Sequence, residues 1–183
     1  MLIVAITGMP GAGKSTAAKA LEAHGFARIT MGDVIREETR RRGLEPDEKN
    51  TGKVMLELRE QYGPGAVAEV CVRSLKASKE SVVIVDGIRS YAEVEVFARE
   101  GRVKLLAISA SRDRRFKLLR ERARSDAPAT RAGFDERDKR ELSIGVGNAL
   151  ALADESLSNE RATPEELGNK AVELVEWWVS TTG

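Results

Sequence analysis

Residues 8–16 read Gly8-Met9-Pro10-Gly11-Ala12-Gly13-Lys14-Ser15-Thr16. The run fits G-x-x-x-x-G-K-[ST] and stands between a continuous apolar stretch, Leu2–Thr7, and a helical pattern that begins at Lys14. That context gives the motif a physical meaning. The glycines let the backbone turn so that successive N–H groups point inward at phosphate oxygens. The helix that follows adds its positive end to the same anion. The Lys14 ammonium is expected on the β- and γ-phosphates and the Ser15 hydroxyl on Mg²⁺. The whole run from Gly8 to Thr16, with Met9, Pro10, Gly11, Ala12 and Gly13, is the candidate ATP-binding segment. A dinucleotide fingerprint is excluded, because reading from Gly11 its third glycine would fall on Thr16.

Outward from this loop, short β-rich runs alternate with helical patterns, which predicts an α/β fold with a parallel sheet. Leu2–Thr7 reads as a strand buried on both faces. A helix is expected from Lys14 to about His24, with Gly25 as its stop and Ala27–Thr30 as a second strand. Residues 31–78 read as mostly helical, with faces Met55, Leu58, Tyr62 and Val67, Val70, Cys71, Leu75 parted by Gly63-Pro64-Gly65. Ser81–Val85 is an apolar strand ending at Asp86-Gly87. Ser90 and Glu93 form a capping box for a helix with Val94, Phe97 and Ala98 on its face. Val103–Ser109 is the next strand, followed by a basic helix with Phe116, Leu119 and Ala123 on its apolar side. Residues 125–133 read as a loop, and Leu142, Val146, Ala149, Leu150 and Ala153 as a helix. Gly145 and Gly147 weaken that helix by up to about 1 kcal/mol each. Glu155–Asn159 is a short fifth strand, and Thr163-Pro164-Glu165-Glu166 opens a final helix that buries Leu167, Ala171, Leu174, Val175 and Trp178. The expected architecture is a three-layer P-loop NTPase fold of about five parallel strands with helices on both faces. It is read as one domain over 1–183, with a helical acceptor-binding insertion at 31–78 and a basic lid at 112–137.

The chain has 183 residues, 42% hydrophobic and 32% charged, with 30 Lys+Arg against 29 Asp+Glu and a net charge of +1. So even a balance gives no global reason to expect a nucleic-acid or membrane partner. One cysteine and one histidine exclude a disulfide framework, a Cys-rich zinc site and a multi-His metal site. No apolar run approaches the roughly 20 residues of a spanning helix. A cytoplasmic globular protein is expected, with a homo-oligomer left open by Trp177 and Trp178 near the C-terminus.

Asp86 closes the second apolar strand, where a Walker-B acid holds a water of Mg²⁺; the other reading is a plain Asp-Gly turn. Two further segments, Ile29-Thr30-Met31-Gly32-Asp33-Val34-Ile35-Arg36-Glu37 and Asp86-Gly87-Ile88-Arg89-Ser90, bear on the acceptor. With the phosphate loop they resemble adenylate kinases in order and spacing. That resemblance implies that Arg36 and Arg89 hold an acceptor phosphate. The proline and aromatic residue usual in the latter segment are absent, so the acceptor base does not carry over. The basic helix, Ala153-Asp154 and the later Asn159 resemble dephospho-coenzyme-A kinases, which implies Asn159 near adenine. Over nearly its whole length the chain resembles an archaeal family of nucleotide-kinase-related P-loop proteins that stands between those two and brings no settled acceptor with it.

The residues themselves agree in kind: two arginines at strand ends suit a bidentate grip on an anion, while Arg36 also reads as a solvated helix residue. Asp33 has two open readings, as proton acceptor for a hydroxyl substrate or as N-cap of a helix starting at Val34. The run Arg112, Arg114, Arg115, Arg120, Arg122, Arg124 reads as a solvated basic face or as a lid over the triphosphate. Spacing favours Arg120 and Arg124 as the γ-phosphate pair, with Arg131 and Arg137 as later candidates. RNA contact is disfavoured because no aromatic platform interleaves the run. The expected activity is transfer of the ATP γ-phosphoryl group to a small nucleotide-like acceptor, a nucleoside monophosphate or dephospho-coenzyme A. The alternative is a nucleotide-binding switch or slow ATPase acting through a protein or RNA partner.

Overall fold

The computed structural model describes residues 1–121 and 130–182. Strand β1 (Leu2–Thr7) lies at the centre of a parallel sheet, between β3 (Val82–Ile88) and β4 (Arg102–Ser109). The short strands β2 (Ala27–Thr30) and β5 (Glu155–Ser158) complete the order β2-β3-β1-β4-β5. Alternate side chains of β1 feed two cores, as a strand's two-residue period requires. Leu2, Val4 and Ile6 pack with Ile84, Leu106 and Ile108 under α1 (Lys14–Ala23) and α9 (Pro164–Thr182). Ile3 and Ala5 pack with Val83, Val85 and Leu105 under α2 (Met31–Arg41), α3 (Glu48–Tyr62), α4 (Ala66–Ala77), α5 (Tyr91–Ala98) and α8 (Val146–Ala151). The three-layer α/β fold with helices on both faces is therefore present. Among the described residues no helix is long and apolar enough to cross a membrane.

Several expectations change where tertiary pairing overrides local pattern. Strand β3 does not end before Asp86 but runs on to Ile88, so no Asp-Gly turn closes it. Ile6 pairs with Asp86 and Thr7 with Ile88, leaving Gly87 (φ 114) as the extra residue of a bulge. The Thr7 hydroxyl closes the irregularity by donating to the Ile88 carbonyl at 3.1 Å. Helix α2 begins at Met31, with Thr30 at the N-cap position but making no side-chain cap bond, so Asp33 sits in its first turn and is not an N-cap. Residues 131–133 are helical rather than loop: Thr130 accepts from the Gly133 N–H and starts α7 (Arg131–Ile144). The single helix expected around 142–153 is split at Gly145, whose left-handed backbone ends α7 and leads into α8. Leu142, Tyr62 and Ala98 are exposed, and Val96 takes the buried place on α5. Strand β5 stops at Ser158, before Asn159.

Candidate active site

The phosphate loop follows the central strand, at the carboxyl edge where open parallel sheets bind ligands. Its backbone needs glycine. A Cβ on Gly11 (φ 80) would lie 2.7 Å from the Arg115 carbonyl oxygen, and one on Gly13 (φ 111) would lie 2.5 Å from Asn159 Nδ2. No side chain caps α1, and no acid lies in its first turn, so its positive end faces the loop. Lys14 curls back: its ammonium donates to the Gly8 carbonyl at 2.6 Å and to the Met9 carbonyl at 3.1 Å. Burial lowers Lys14 to about 8; Asp86 and Glu141 oppose that shift, while Arg89 and Arg137 add to it. Ser15 follows it in the first turn of α1, half-buried, and the Thr16 N–H donates to the Gly13 carbonyl at 2.9 Å.

Asp86 is buried at the carboxyl end of β3. Its Oδ2 accepts from Arg28 Nη2 at 2.9 Å, and Arg28 Nη1 donates to Glu22 Oε2 at 3.0 Å. The register accounts for the pair. Thr30 lies beside Asp86 and Arg28 beside Ile84, so Arg28 and Asp86 share a sheet face one pleat apart.

Arg89 follows β3 directly. Its backbone N–H donates to Glu93 Oε2 at 2.7 Å, and its Nη1 lies 3.2 Å from Glu141 Oε1. Glu93 is fully buried and also takes Arg59 Nη2 at 2.9 Å. Burial pushes the Glu93 carboxyl up, against the pull of Arg59 and the Arg89 N–H. Arg36 pairs with Asp33 on the exposed face of α2. The fold thus brings Asp86, Arg89, Arg137 and Glu141 within electrostatic reach of Lys14. Neither Arg36 nor Asp33 is among the groups that act on Lys14.

The basic helix α6 (Arg112–Glu121) is neither wholly solvated nor wholly turned to the loop. Arg115 is buried and donates to both Asp138 oxygens, at 2.8 and 2.6 Å, and to the Pro10 carbonyl at 3.1 Å. Its guanidinium stacks 4.9 Å from the Phe134 ring centre. Arg112 pairs with Asp135, and Arg131 with Asp113. Arg114 donates to the carbonyls of Asn159 and Ala162 at 3.4 and 3.3 Å. Arg120 is exposed beside Phe116. Arg124 lies outside the described residues. The buried Asn159 amide donates to the Ala12 carbonyl at 2.9 Å, so that donor braces the phosphate loop rather than facing a base.

Arg28, Arg115, Asp138, Glu93 and Glu141 carry much of this geometry, and the sequence marks none of them as a site residue except Arg115, as one of the run read as a basic face or lid. Only Arg115 stood in a recognised run, and the Glu93 capping box was the one local signal near Arg89. Cys71 is buried, and burial pushes its thiol up to about 12, which removes it as a nucleophile. His24 caps the C-terminus of α1, 2.9 Å from Glu176. Among the described residues no three His, Cys, Asp or Glu side chains cluster as a metal cage.

A family model described as an AAA domain matches residues 7–132. A UPF0200 protein of Hyperthermus butylicus is 42% identical over 164 residues, covering 90% of this chain and 88% of its own. Another, from Thermococcus onnurineus, is 41% identical over 180 residues, covering 96% and 97%. Among solved structures, TT1252 from Thermus thermophilus superposes with a TM-score of 0.69 at 18% identity, covering 96% of both chains. Shikimate kinase from Bacteroides thetaiotaomicron gives 0.65 at 20% identity, covering 96% of this chain and 98% of its own. At such identities these two likenesses speak to the fold, which is that of P-loop kinases.

Proposed function

The chain belongs to the UPF0200 family, with a P-loop kinase-like fold, and from that premise we propose that it transfers the γ-phosphoryl group of ATP to a small nucleotide-like acceptor. The observation that carries this reading is the convergence of Lys14, Asp86 and Arg89 at the carboxyl ends of the adjacent strands β1 and β3. A nucleotide-binding loop needs Lys14 alone. An arginine on the far side, held by two carboxylates, supports a second anion.

In the reaction an acceptor oxygen bonds to the γ-phosphorus while the bond from that phosphorus to the β-bridging oxygen breaks, and ADP leaves. Charge spread over the γ-oxygens is met by Lys14 and the inward N–H groups of residues 8–16. Arg36 and Arg89 hold the acceptor. A phosphate acceptor needs no base; a hydroxyl acceptor gives its proton to Asp33. Arg120, in the last turn of α6, would meet charge on the γ-phosphate; Arg124, expected in the same role, lies outside the described residues. Ser15 and Asp86 are oxygen donors of the kind Mg²⁺ takes, few enough that nucleotide phosphates and water would supply the rest. Magnesium bound there neutralises charge on the β- and γ-phosphates.

Labelled ATP and Mg²⁺ with AMP, other nucleoside monophosphates and dephospho-coenzyme A test the reading. One acceptor is expected to take label, with transfer lost in Lys14→Ala and strongly reduced in Arg89→Ala. Stoichiometric ATP binding with no labelled acceptor would replace it by the switch or slow-ATPase reading.

A further inference from the structure

Glu141 belongs to no motif, yet it is a buried carboxylate in the middle of the site. A buried carboxylate is unfavourable unless paired, and Arg89 pairs with it, its Nη1 lying 3.2 Å from Glu141 Oε1. A guanidinium has five N–H donors, and even a bidentate carboxylate takes only two, so donors remain for a ligand. Because the Arg89 N–H is also fixed by Glu93, the residue is held at its backbone and at its tip. Holding a long side chain before the ligand arrives removes part of the ordering cost of binding.

Position along α7 gives Glu141 a second connection. Asp138 lies three residues earlier on the same buried face, and it holds Arg115, which touches Pro10 of the phosphate loop. Two buried carboxylates at this spacing repel unless each has its own cation. One takes an arginine from the donor side and the other an arginine from the acceptor side. At the end of α7, Gly145 packs on Ser90, with an added Cβ only 3.5 Å from Ser90 Cβ. Helix α7 thus meets the segment that carries Arg89 at two places, by the Glu141 ion pair and by ordinary proximity of Gly145 to Ser90.

We propose that Glu141 is a positioning residue: it aims Arg89 at the acceptor anion and, through α7, ties that arginine to the phosphate loop. This rests on the assignment of Arg89 to the acceptor made above.

The test uses the full chain saturated with Mg²⁺ and AMP-PNP, so that the loop is filled, with inorganic phosphate as the acceptor-side probe followed by ³¹P line broadening. Glu141→Gln is expected to weaken phosphate binding by about fivefold or more, although it removes a negative charge. A carboxylate acting only as a charge would give the opposite sign. Glu141→Asp keeps the charge but withdraws it by one methylene, and it too is expected to bind phosphate more weakly. In an Arg89→Ala background, Glu141→Gln should add no further loss. Unchanged or tighter phosphate binding in both Glu141 variants overturns the proposal, as does an equal loss without Arg89. If the wild-type chain binds no phosphate in an Arg89-dependent manner, the acceptor reading itself falls and this inference with it. Arg89-dependent phosphate binding that neither Glu141 variant alters overturns this inference alone.

Discussion

Arg28 and Asp86 stand on neighbouring parallel strands with guanidinium and carboxylate 2.9 Å apart, both largely shielded from water. The proposed magnesium acid thus already has a cation of its own. Removing that cation leaves a buried carboxylate without its hydrogen-bonded partner. Arg28→Met is therefore expected to lower unfolding free energy by about 3 kcal/mol, the low end for a broken buried pair. Urea denaturation measures it. Loss of less than about 0.5 kcal/mol would mean that solvent reaches Asp86 freely.

The pH dependence of nucleotide binding follows from Lys14. With its proton leaving at about 8 in the free protein, the ammonium is largely charged at pH 7 and largely neutral at pH 9. Phosphates favour the charged form, so binding above that point takes up a proton. The Kd for Mg-ATP should stay flat from about pH 7 to 7.5 and then rise toward tenfold per pH unit above 8. Lys14→Arg, if it binds, should flatten the profile, because arginine keeps its charge throughout. Calorimetric titration across this range checks it, and a flat wild-type profile would mean that Lys14 does not exchange its proton on nucleotide binding in this range.

Asn159 holds the loop from beneath. Its amide satisfies the Ala12 carbonyl and leaves no space for a side chain at position 13. Asn159→Ala should cost about 1–3 kcal/mol, because a buried carbonyl loses its donor. It should also weaken Mg-ATP binding by loosening the loop. Asn159→Asp, which cannot donate, is expected to do no better. Thermal unfolding and nucleotide affinity, measured together, check both effects; unfolding unchanged in both variants would contradict the bracing role.

What the sequence made legible is whatever short-range rules govern. The turn from β1 into α1, the end of α1 near Gly25, the capping box at Ser90 and Glu93, and the Thr163 start of α9 each depend on residues a few positions apart. Gly87 and Gly145 were visible but not their roles, because a bulge and a helix break depend on partners elsewhere in the chain. Asp33 does not cap α2 because the helix starts directly from β2 at Met31, which puts Asp33 inside its first turn. The ion pairs around the site were illegible for the same reason. Nothing local to Arg28 names Asp86, and nothing local to Arg89 names Glu141. Lys14, Asp86 and Arg89 could be picked as candidates one by one, while the carboxylates and arginines that orient them appear only once the helices pack.

The joint between α6 and α7 gives the last prediction, because it holds a buried pair and exposed pairs side by side. Arg115 and Asp138 are both buried, whereas Arg131 and Asp113 lie at the surface, where salt screens them. Arg115→Met leaves Asp138 uncompensated and frees the Pro10 carbonyl, so it should lose about 3–5 kcal/mol of stability. Weakened Mg-ATP binding should accompany that loss, since the phosphate loop gives up a contact. Asp113→Asn should leave urea unfolding nearly unchanged, and raising ionic strength should erase what difference remains. If instead Asp113→Asn destabilises as much as Arg115→Met, the joint is held from its surface, and the buried arginine is not what ties these two helices to the phosphate loop.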